Sequence, residues 1–180
     1  VVICPTDTVY GFLADASNKK AVEKIFKLKK RPKSKPLSLF VNSVEMAKKI
    51  AEINYNQEKS LTLRLRSGQA KFWPGKYTFV LKRRGGKLIY GVKKDSVAVR
   101  MPKYKFLNNI LKKINKPIAQ TSVNISGKDP LNKIKDIIKE FGRNKRVGLI
   151  IDGGDLLGAK PSKIIDLSKN KIKVIRALRK

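Results

Sequence analysis

The 180-residue chain carries 43 Lys and Arg against 13 Asp and Glu, which gives a formal net charge of +30. Its single cysteine and lack of histidine exclude an intrachain disulfide, a Cys/His zinc site and any catalytic triad that needs an imidazole. The length suits one domain with a sizeable core, and no apolar run is long enough to span a bilayer. We therefore expect a cytoplasmic protein without membrane contact, whose chemistry uses hydroxyls, amides, carboxylates, lysines and arginines.

The hydrophobic pattern predicts alternating strands and helices over the first half of the chain. In order, these are a strand at Val1 to Cys4, a helix capped by Ser17 or Asn18 that ends before Pro32, a strand at Leu37 to Val41, a helix capped by Ser43, and a hairpin formed by Tyr77 to Leu81 and Lys87 to Val92. The stretch from Leu61 to Ala70 alternates like a strand, whereas its neighbours favour the end of a helix, so it remains unassigned.

The second half continues the same alternation. In order, the pattern predicts a strand at Val97 to Val99, a helix from Phe106 to Ile114, a strand at Ile118 to Val123, a helix opened by Pro130, and strands at Val147 to Asp152, Ile164 to Leu167 and Lys171 to Ile175. Because the rhythm is not strictly βαβ and a hairpin interrupts it, we predict one α/β domain over residues 1–180. Its mixed, twisted sheet should be flanked by helices.

Standard nucleotide-binding motifs are missing. In WPGKYT, Lys76 is followed by Tyr77 rather than Ser or Thr, and the required upstream glycine is absent, so the stretch is no P-loop. Gly153, Gly154 and Gly158 also lack the spacing of a dinucleotide fingerprint. If the chain binds a nucleotide, it must do so by another arrangement.

Four polar stretches could form a binding site instead. PTDTVYG, TSVNISG and KPSKIID each lie beside predicted strands, and KLKKRPKSKP lies at a helix end. Ligands usually bind at the open end of an α/β sheet, and hydroxyls, amides and cations together suit a substrate with phosphates and a carboxylate. Taken singly, each stretch is also explained by an ordinary turn or by a solvated lysine run.

The motifs together resemble the YrdC-like family of threonylcarbamoyl-AMP synthases, in the family's order and over nearly the whole chain. They are PTDTVYG, the K-x-R of Lys29 and Arg31 with KPLSLFV after it, FWPGKYTFVL, VAVRMP, the S-x-N of Ser122 and Asn124, DGG at 152–154, and PSKIIDL. The sequence departs from the family at Phe40, near a position where some relatives carry histidine, and at Lys163, where threonine is common.

The resemblance implies a short, single-domain member of this family with a basic concave surface. Its activity would join L-threonine, bicarbonate and ATP into threonylcarbamoyl-adenylate and release pyrophosphate, with Mg²⁺ carried by the ATP. A separate transferase complex would then move the threonylcarbamoyl group to N6 of the adenosine next to the tRNA anticodon.

Carried over motif by motif, the resemblance also implies a set of site residues. Lys29 and Arg31 would be catalytic and would clamp the phosphates and the carbamate. L-Threonine would contact Thr8, Arg100, Gln120 and Ser162, and ATP would contact Arg31, Lys35, Ser96, Ser122, Asn124 and Arg176. No metal ligand is expected from the chain, because Asp152 and Asp155 are better explained as turn residues beside glycines.

Two alternatives use the same features. The charge favours binding of polyanions, so the chain could be a non-catalytic RNA-binding module, although 33 of the 43 basic residues are lysines spread over many polar faces. We expect any binding of tRNA or double-stranded RNA to be weak and electrostatic. The K-x-R and S-x-N pairs argue against a pure binding module. The second alternative is a YrdC-like domain for carbamoyl transfer in hydrogenase maturation.

Overall fold

The structure is a computed structural model and describes residues 1–62, 72–86, 88–169 and 172–177. Within these residues, nine strands form one sheet. In chain order they are β1 (Val2–Cys4), β2 (Gly11–Asp15), β3 (Ser38–Phe40), β4 (Tyr77–Lys82), β5 (Ser96–Arg100), β6 (Ile118–Ser122), β7 (Leu149–Ile150), β8 (Lys163–Asp166) and β9 (Lys173–Arg176). The helices are α1 (Lys19–Lys29), α2 (Val44–Lys48), α3 (Tyr55–Thr62), α4 (Lys105–Ile114) and α5 (Ile134–Phe141).

The sheet is mixed, with strand order β7-β1-β2-β6-β3-β5-β4-β8-β9. The pairs β1–β7, β3–β5 and β4–β8 are parallel, and the other neighbouring pairs are antiparallel. This arrangement confirms the predicted α/β class with a mixed sheet. No helix in the described part of the chain is long and apolar enough to cross a membrane.

Helix α1 places two of the expected site residues at its C-terminal end. Asn18 caps the helix by accepting a hydrogen bond from the N–H of Ala21 at 3.0 Å, as its position before the apolar repeat predicts. Buried side chains of α1, among them Val22 and Ile25, join the core on the sheet. The helix ends at Lys30, which adopts a left-handed conformation with φ 48°, so Lys29 and Arg31 flank the turn out of the helix.

Two elements of the N-terminal half were not predicted. β2 escapes detection because Gly11 to Ala14 are all buried, which removes the alternation of apolar and polar residues that marks a half-exposed strand. α3 has weak amphipathicity, with an exposed Tyr55 at its start. The unassigned stretch begins in the last turn of α3, and its residues 63–70 lie outside the described residues.

The predicted hairpin partner of β4 is wrong. β4 pairs antiparallel with β5, and residues 88–92 contain no strand, while Lys87 lies outside the described residues. Gly91 has φ +76°, and its carbonyl accepts the N–H of Leu37 at 2.7 Å. This segment therefore packs against the chain before β3 instead of returning along β4.

Several other helix and strand boundaries differ between the prediction and the structure. Helix α5 begins at Ile134 rather than at Pro130, because Leu131 donates its N–H to Val123 and the carboxylate of Asp155 accepts the N–H of Ile134. The strand predicted from Val147 to Asp152 shortens to β7, and the last strand begins at Lys173, with Lys171 outside the described residues.

Candidate active site

A cavity of about 580 Å³ opens beside the ends of several strands and brings together nine of the eleven expected site residues. These are Thr8, Arg31, Lys35, Ser96, Arg100, Gln120, Ser122, Ser162 and Arg176. Lys29 and Asn124 are not among the lining residues. The expected residues therefore bring hydroxyls, an amide and cations from distant parts of the sequence into a cavity that the carboxylates of Asp95 and Asp166 also line.

The PTDTVYG turn is held by its own polar side chains. The Thr6 hydroxyl donates to the carbonyl of Val9 at 2.8 Å and accepts the N–H of Thr8 at 3.0 Å. The Tyr10 hydroxyl donates to the carbonyl of Gly154 and accepts the N–H of Gly153, and burial raises the pKa of Tyr10. Thr6 and Tyr10 thus shape the turn and fasten it to the DGG loop.

Arg100 ends β5 and is almost fully buried, with 2% exposure. Its Nε donates to the Gly75 carbonyl at 3.1 Å, its Nη1 to Thr8 Oγ1 at 2.8 Å and its Nη2 to Asp7 Oδ1 at 2.5 Å. Burial lowers the pKa of Arg100, and the Asp7 charge opposes that shift. The guanidinium carbon lies 5.6 Å from the centroid of the Phe40 ring. Phe40 thus supplies a cation–π contact.

Arg176 lies on β9, the last strand of the sheet beside β8, and its side chain contacts Ser162. Its Nε donates to the Ser162 carbonyl at 2.8 Å, and its Nη2 lies 3.3 Å from the Ser162 hydroxyl. That hydroxyl is also 2.8 Å from the hydroxyl of Thr78. Desolvation of the guanidinium, together with the positive charge of Arg100, lowers the pKa of Arg176, which indicates that the two arginines share one region of the cavity.

Arg31 organises the loop that follows α1. Its Nε donates to the Lys35 carbonyl and its Nη2 to the Pro36 carbonyl, both at 2.9 Å. Burial lowers the pKa of Arg31. The guanidinium therefore lines the cavity while it draws Lys35, which also lines the cavity, toward the same region.

Lys29 lies behind the cavity lining. Its Nζ donates to the Ser122 carbonyl at 2.6 Å, to the Asn124 carbonyl at 3.1 Å and to Asn124 Oδ1 at 2.6 Å, and the residue is 1% exposed. Burial, with the Arg31 charge as a second cause, lowers the pKa of Lys29 to about 7. The ammonium thus holds the S-x-N segment from inside the core, and a direct contact of Lys29 with phosphate stays a prediction.

The S-x-N segment is further held by Asn124. Asn124 Oδ1 also accepts the Ser122 hydroxyl at 2.7 Å, and Asn124 Nδ2 donates to the carbonyls of Ile125 and Lys128. Asn124 therefore fixes the turn that presents Ser122 to the cavity.

Several polar residues of the cavity region were not among the expected site residues, and three of them contact expected ones. Ser38 accepts a hydrogen bond from Gln120 Nε2 and lines the cavity, Thr78 lines it beside Ser162, and Asp7 lies behind Arg100. All three lie inside motifs of the resemblance, in KPLSLFV, FWPGKYTFVL and PTDTVYG. Their motif membership was the signal that could have found them.

Comparison with known proteins finds relatives that match almost the whole chain. The Sua5_yciO_yrdC family model, described as "Telomere recombination", matches residues 1–177. A Methanocaldococcus jannaschii protein, described as a candidate threonylcarbamoyl-AMP synthase, is 37% identical over 177 residues, which are 98% of this chain and 78% of that protein. The Pyrococcus abyssi threonylcarbamoyl-AMP synthase is 34% identical over 94% of this chain, which spans only 47% of that enzyme.

The fold is also similar to a solved structure. The crystal structure of Pyrococcus abyssi Sua5 complexed with L-threonine superimposes with a TM-score of 0.81 and 32% sequence identity. The match covers 97% of this chain and 49% of that one. The chain thus corresponds to about half the length of the Pyrococcus protein.

Proposed function

The chain belongs to the Sua5/YciO/YrdC family, and on that premise we propose that it makes threonylcarbamoyl-adenylate from L-threonine, bicarbonate and ATP. The observation that carries the proposal is the cavity itself, which gathers Arg31, Arg100 and Arg176 with several hydroxyls in about 580 Å³. Such a set matches a reaction whose substrates bear a carboxylate, a carbamate and a triphosphate. The named relatives support the same assignment.

The amino-acid end is proposed to lie at Arg100. A guanidinium binds a carboxylate with two parallel hydrogen bonds, which an ammonium cannot do. Thr8 and Ser162 would contribute hydroxyls, and Gln120 an amide, to the remaining polar groups of threonine. Ser162 is already oriented by Thr78 and Arg176.

The nucleotide end is proposed to use Arg31, Lys35, Ser96, Ser122, Asn124 and Arg176. The amine of threonine reacts with bicarbonate to give a carbamate and water, and a carbamate oxygen then attacks the α-phosphate of ATP and displaces pyrophosphate. Negative charge accumulates where these groups meet. Cations that are already held in place stabilise that charge without reorganising during the reaction. Arg31 meets this condition, because two carbonyls fix its guanidinium.

Magnesium enters this scheme as part of the MgATP substrate. Among the described residues, no three His, Cys, Asp or Glu side chains come together in a group that could hold a metal ion, and the cavity lining includes the carboxylates of Asp95 and Asp166. Phosphate oxygens and water commonly supply most of the coordination of Mg²⁺ in nucleotide sites. The donor set of the cavity fits an ion that arrives with the triphosphate.

The product is expected only when all three substrates are present. Purified protein should release pyrophosphate and incorporate radiolabelled bicarbonate into a nucleotide product when L-threonine, bicarbonate and MgATP are supplied together. Omitting any one substrate should abolish incorporation, because the attacking carbamate needs both threonine and bicarbonate. Pyrophosphate release that is equally fast without threonine would contradict the proposal.

The product is a mixed anhydride of a carbamate and a phosphate, which is reactive toward amines. A tRNA-modifying threonylcarbamoyl transferase complex is the proposed consumer, acting on the adenosine beside the anticodon. The proposed cellular location is the cytoplasm, where tRNA is modified. The synthase would then need no base-specific contact with tRNA.

RNA binding is expected to be electrostatic. With a net charge of +30, the chain should bind tRNA and an unrelated double-stranded RNA of equal length with similar affinity. The affinity should fall steeply as salt rises, since neutralised phosphates release counterions. Fluorescence titrations at several salt concentrations measure this slope. A flat salt dependence, or a strong preference for one tRNA, would contradict the expectation. RNA binding without any pyrophosphate release would favour the non-catalytic alternative.

A further inference from the structure

Asp7 is a buried carboxylate that contacts the proposed amino-acid end from behind. Its Oδ1 accepts Arg100 Nη2 at 2.5 Å, and its Oδ2 accepts the backbone N–H of Lys103 at 3.0 Å. The exposed fractions of the Arg100 and Asp7 side chains are 3% and 7%. Asp7 is not among the residues that line the cavity. The carboxylate is therefore placed to act on Arg100 and not on a substrate.

The hydrogen bonds of Arg100 leave part of its guanidinium free. Of its five N–H groups, one each on Nε, Nη1 and Nη2 is used by Gly75, Thr8 and Asp7. The described residues supply no further acceptor for the second hydrogens of Nη1 and Nη2. A carboxylate could accept hydrogen bonds from these two hydrogens.

The charges of this region also depend on Asp7. Arg100 and Arg176 are close enough for the charge of Arg100 to affect Arg176. Asp7 neutralises one of these two guanidinium charges by a buried ion pair. Removing one partner of such a pair leaves the other charge buried and uncompensated. Without the carboxylate, Arg100 would leave its present position for a more hydrated one.

We infer that Asp7 is a positioning residue for amino-acid binding, which orients Arg100 so that its two unused N–H groups donate hydrogen bonds to the carboxylate of threonine. This inference rests on the proposed function and deepens it. Asp7 is expected to govern the affinity for threonine. Most of the proposed nucleotide contacts, those of Arg31, Lys35, Ser96, Ser122 and Asn124, are not bonded to Asp7 or Arg100 and should be independent of it.

The test is calorimetric binding of L-threonine and, separately, of a non-hydrolysable ATP analogue to the wild-type chain and to Asp7→Asn and Asp7→Glu. Asp7→Asn should weaken threonine binding by about 10-fold or more, which corresponds to the loss of one charge-assisted contact. The affinity for the ATP analogue should stay within about 2-fold of wild type. Such a change is smaller than the loss of one charge-assisted hydrogen bond would cause. Asp7→Glu keeps the carboxylate and should restore most of the threonine affinity.

Leu111→Ala is the matched control for general destabilisation. Leu111, on α4, is buried in a second core cluster and does not line the cavity, so this variant should lower the melting temperature without affecting threonine binding. Equal threonine affinity in Asp7→Asn and wild type, or an equal loss for threonine and the ATP analogue, would overturn the inference. If Asp7→Asn does not fold, Asp7→Glu tests the role. Affinities of Asp7→Glu for L-threonine and for the ATP analogue that both stay within about 3-fold of wild type support the role, and a loss of binding of both ligands overturns it. A wild-type chain that fails to bind threonine overturns the proposed function itself, and the inference with it.

Discussion

Replacing Arg31 with alanine is expected to slow adenylate formation by roughly 100-fold or more at saturating substrates, as is typical when one preorganised electrostatic contact is lost. The side chain lines the cavity and, among the residues that the structure describes, bonds only to the carbonyls of Lys35 and Pro36 in the loop after α1. Its removal takes little apolar area from the core, so the melting temperature should change by only a few degrees. Rates and melting curves of the purified variants measure both effects.

Two further variants separate local chemistry from general attraction. Arg31→Lys should recover only part of the rate, because an ammonium does not reproduce the planar geometry of the guanidinium. Lys27→Ala removes the same charge from an exposed position in the last turn of α1 and should retain nearly full activity. If Arg31→Ala and Lys27→Ala lose the same small amount of activity, Arg31 is only a solvated helix-end residue and its assignment fails.

Lys29→Met is expected to reduce both stability and activity, although Lys29 is not among the residues that line the cavity. Methionine preserves the length of the side chain but donates no hydrogen bond to Ser122 and Asn124. Buried acceptors without a donor should lower the free energy of unfolding by about 2–4 kcal/mol. Displacement of the S-x-N segment by about 1 Å should slow adenylate formation by up to about 100-fold. Urea unfolding and rate measurements test this, with Lys27→Met as the exposed control.

The loss of stability should depend on pH. Burial lowers the pKa of Lys29 from 10.5 to about 7 in the folded chain, so between these values the unfolded chain binds more protons at this residue. The free energy of unfolding of the wild type should therefore rise with pH in this window, by at most about 1.4 kcal/mol per pH unit from Lys29. Below pH 7, Lys29 is protonated in both the folded and the unfolded chain, so the free energy of unfolding is lowered by the full cost of burying its charge.

The comparison of wild type with Lys29→Met isolates this contribution, since other titrating groups act in both proteins. The difference in unfolding free energy should be larger at pH 9 than at pH 7. A difference that stays constant over this range would show that Lys29 keeps its ordinary pKa in the folded chain.

Local sequence was sufficient for several elements and for the composition of the cavity. Asn18 and Ser43 cap α1 and α2 as predicted, because a cap uses only a side chain and the N–H groups of the next turn. The PTDTVYG turn is likewise held by bonds that span three residues, from Thr6 to Val9. Nine of the eleven expected site residues line one cavity, because the motifs that contain them lie at or beside strand ends.

Contacts between segments that are distant in the chain could not be predicted from the local sequence. The partner of β4 is β5 rather than the nearer segment at residues 88–92, since Gly91 and Leu37 bond to each other and direct that segment elsewhere. β2 was missed because a strand covered on both faces carries no alternation. Both errors arise where burial and pairing, rather than local preference, select the conformation.

The sequence by itself determined the α/β class, the helix caps and the polar residue types at the cavity, because each depends on periodicity or on bonds between near neighbours. Only the tertiary structure decided how those residues are used. Lys29 and Arg31 are two positions apart, yet packing turns one ammonium inward to Ser122 and Asn124 and leaves the other cation at the cavity. Asp7 and Arg100 are 93 residues apart, and they form an ion pair because strand pairing brings the PTDTVYG turn beside the end of β5, where burial strengthens their attraction.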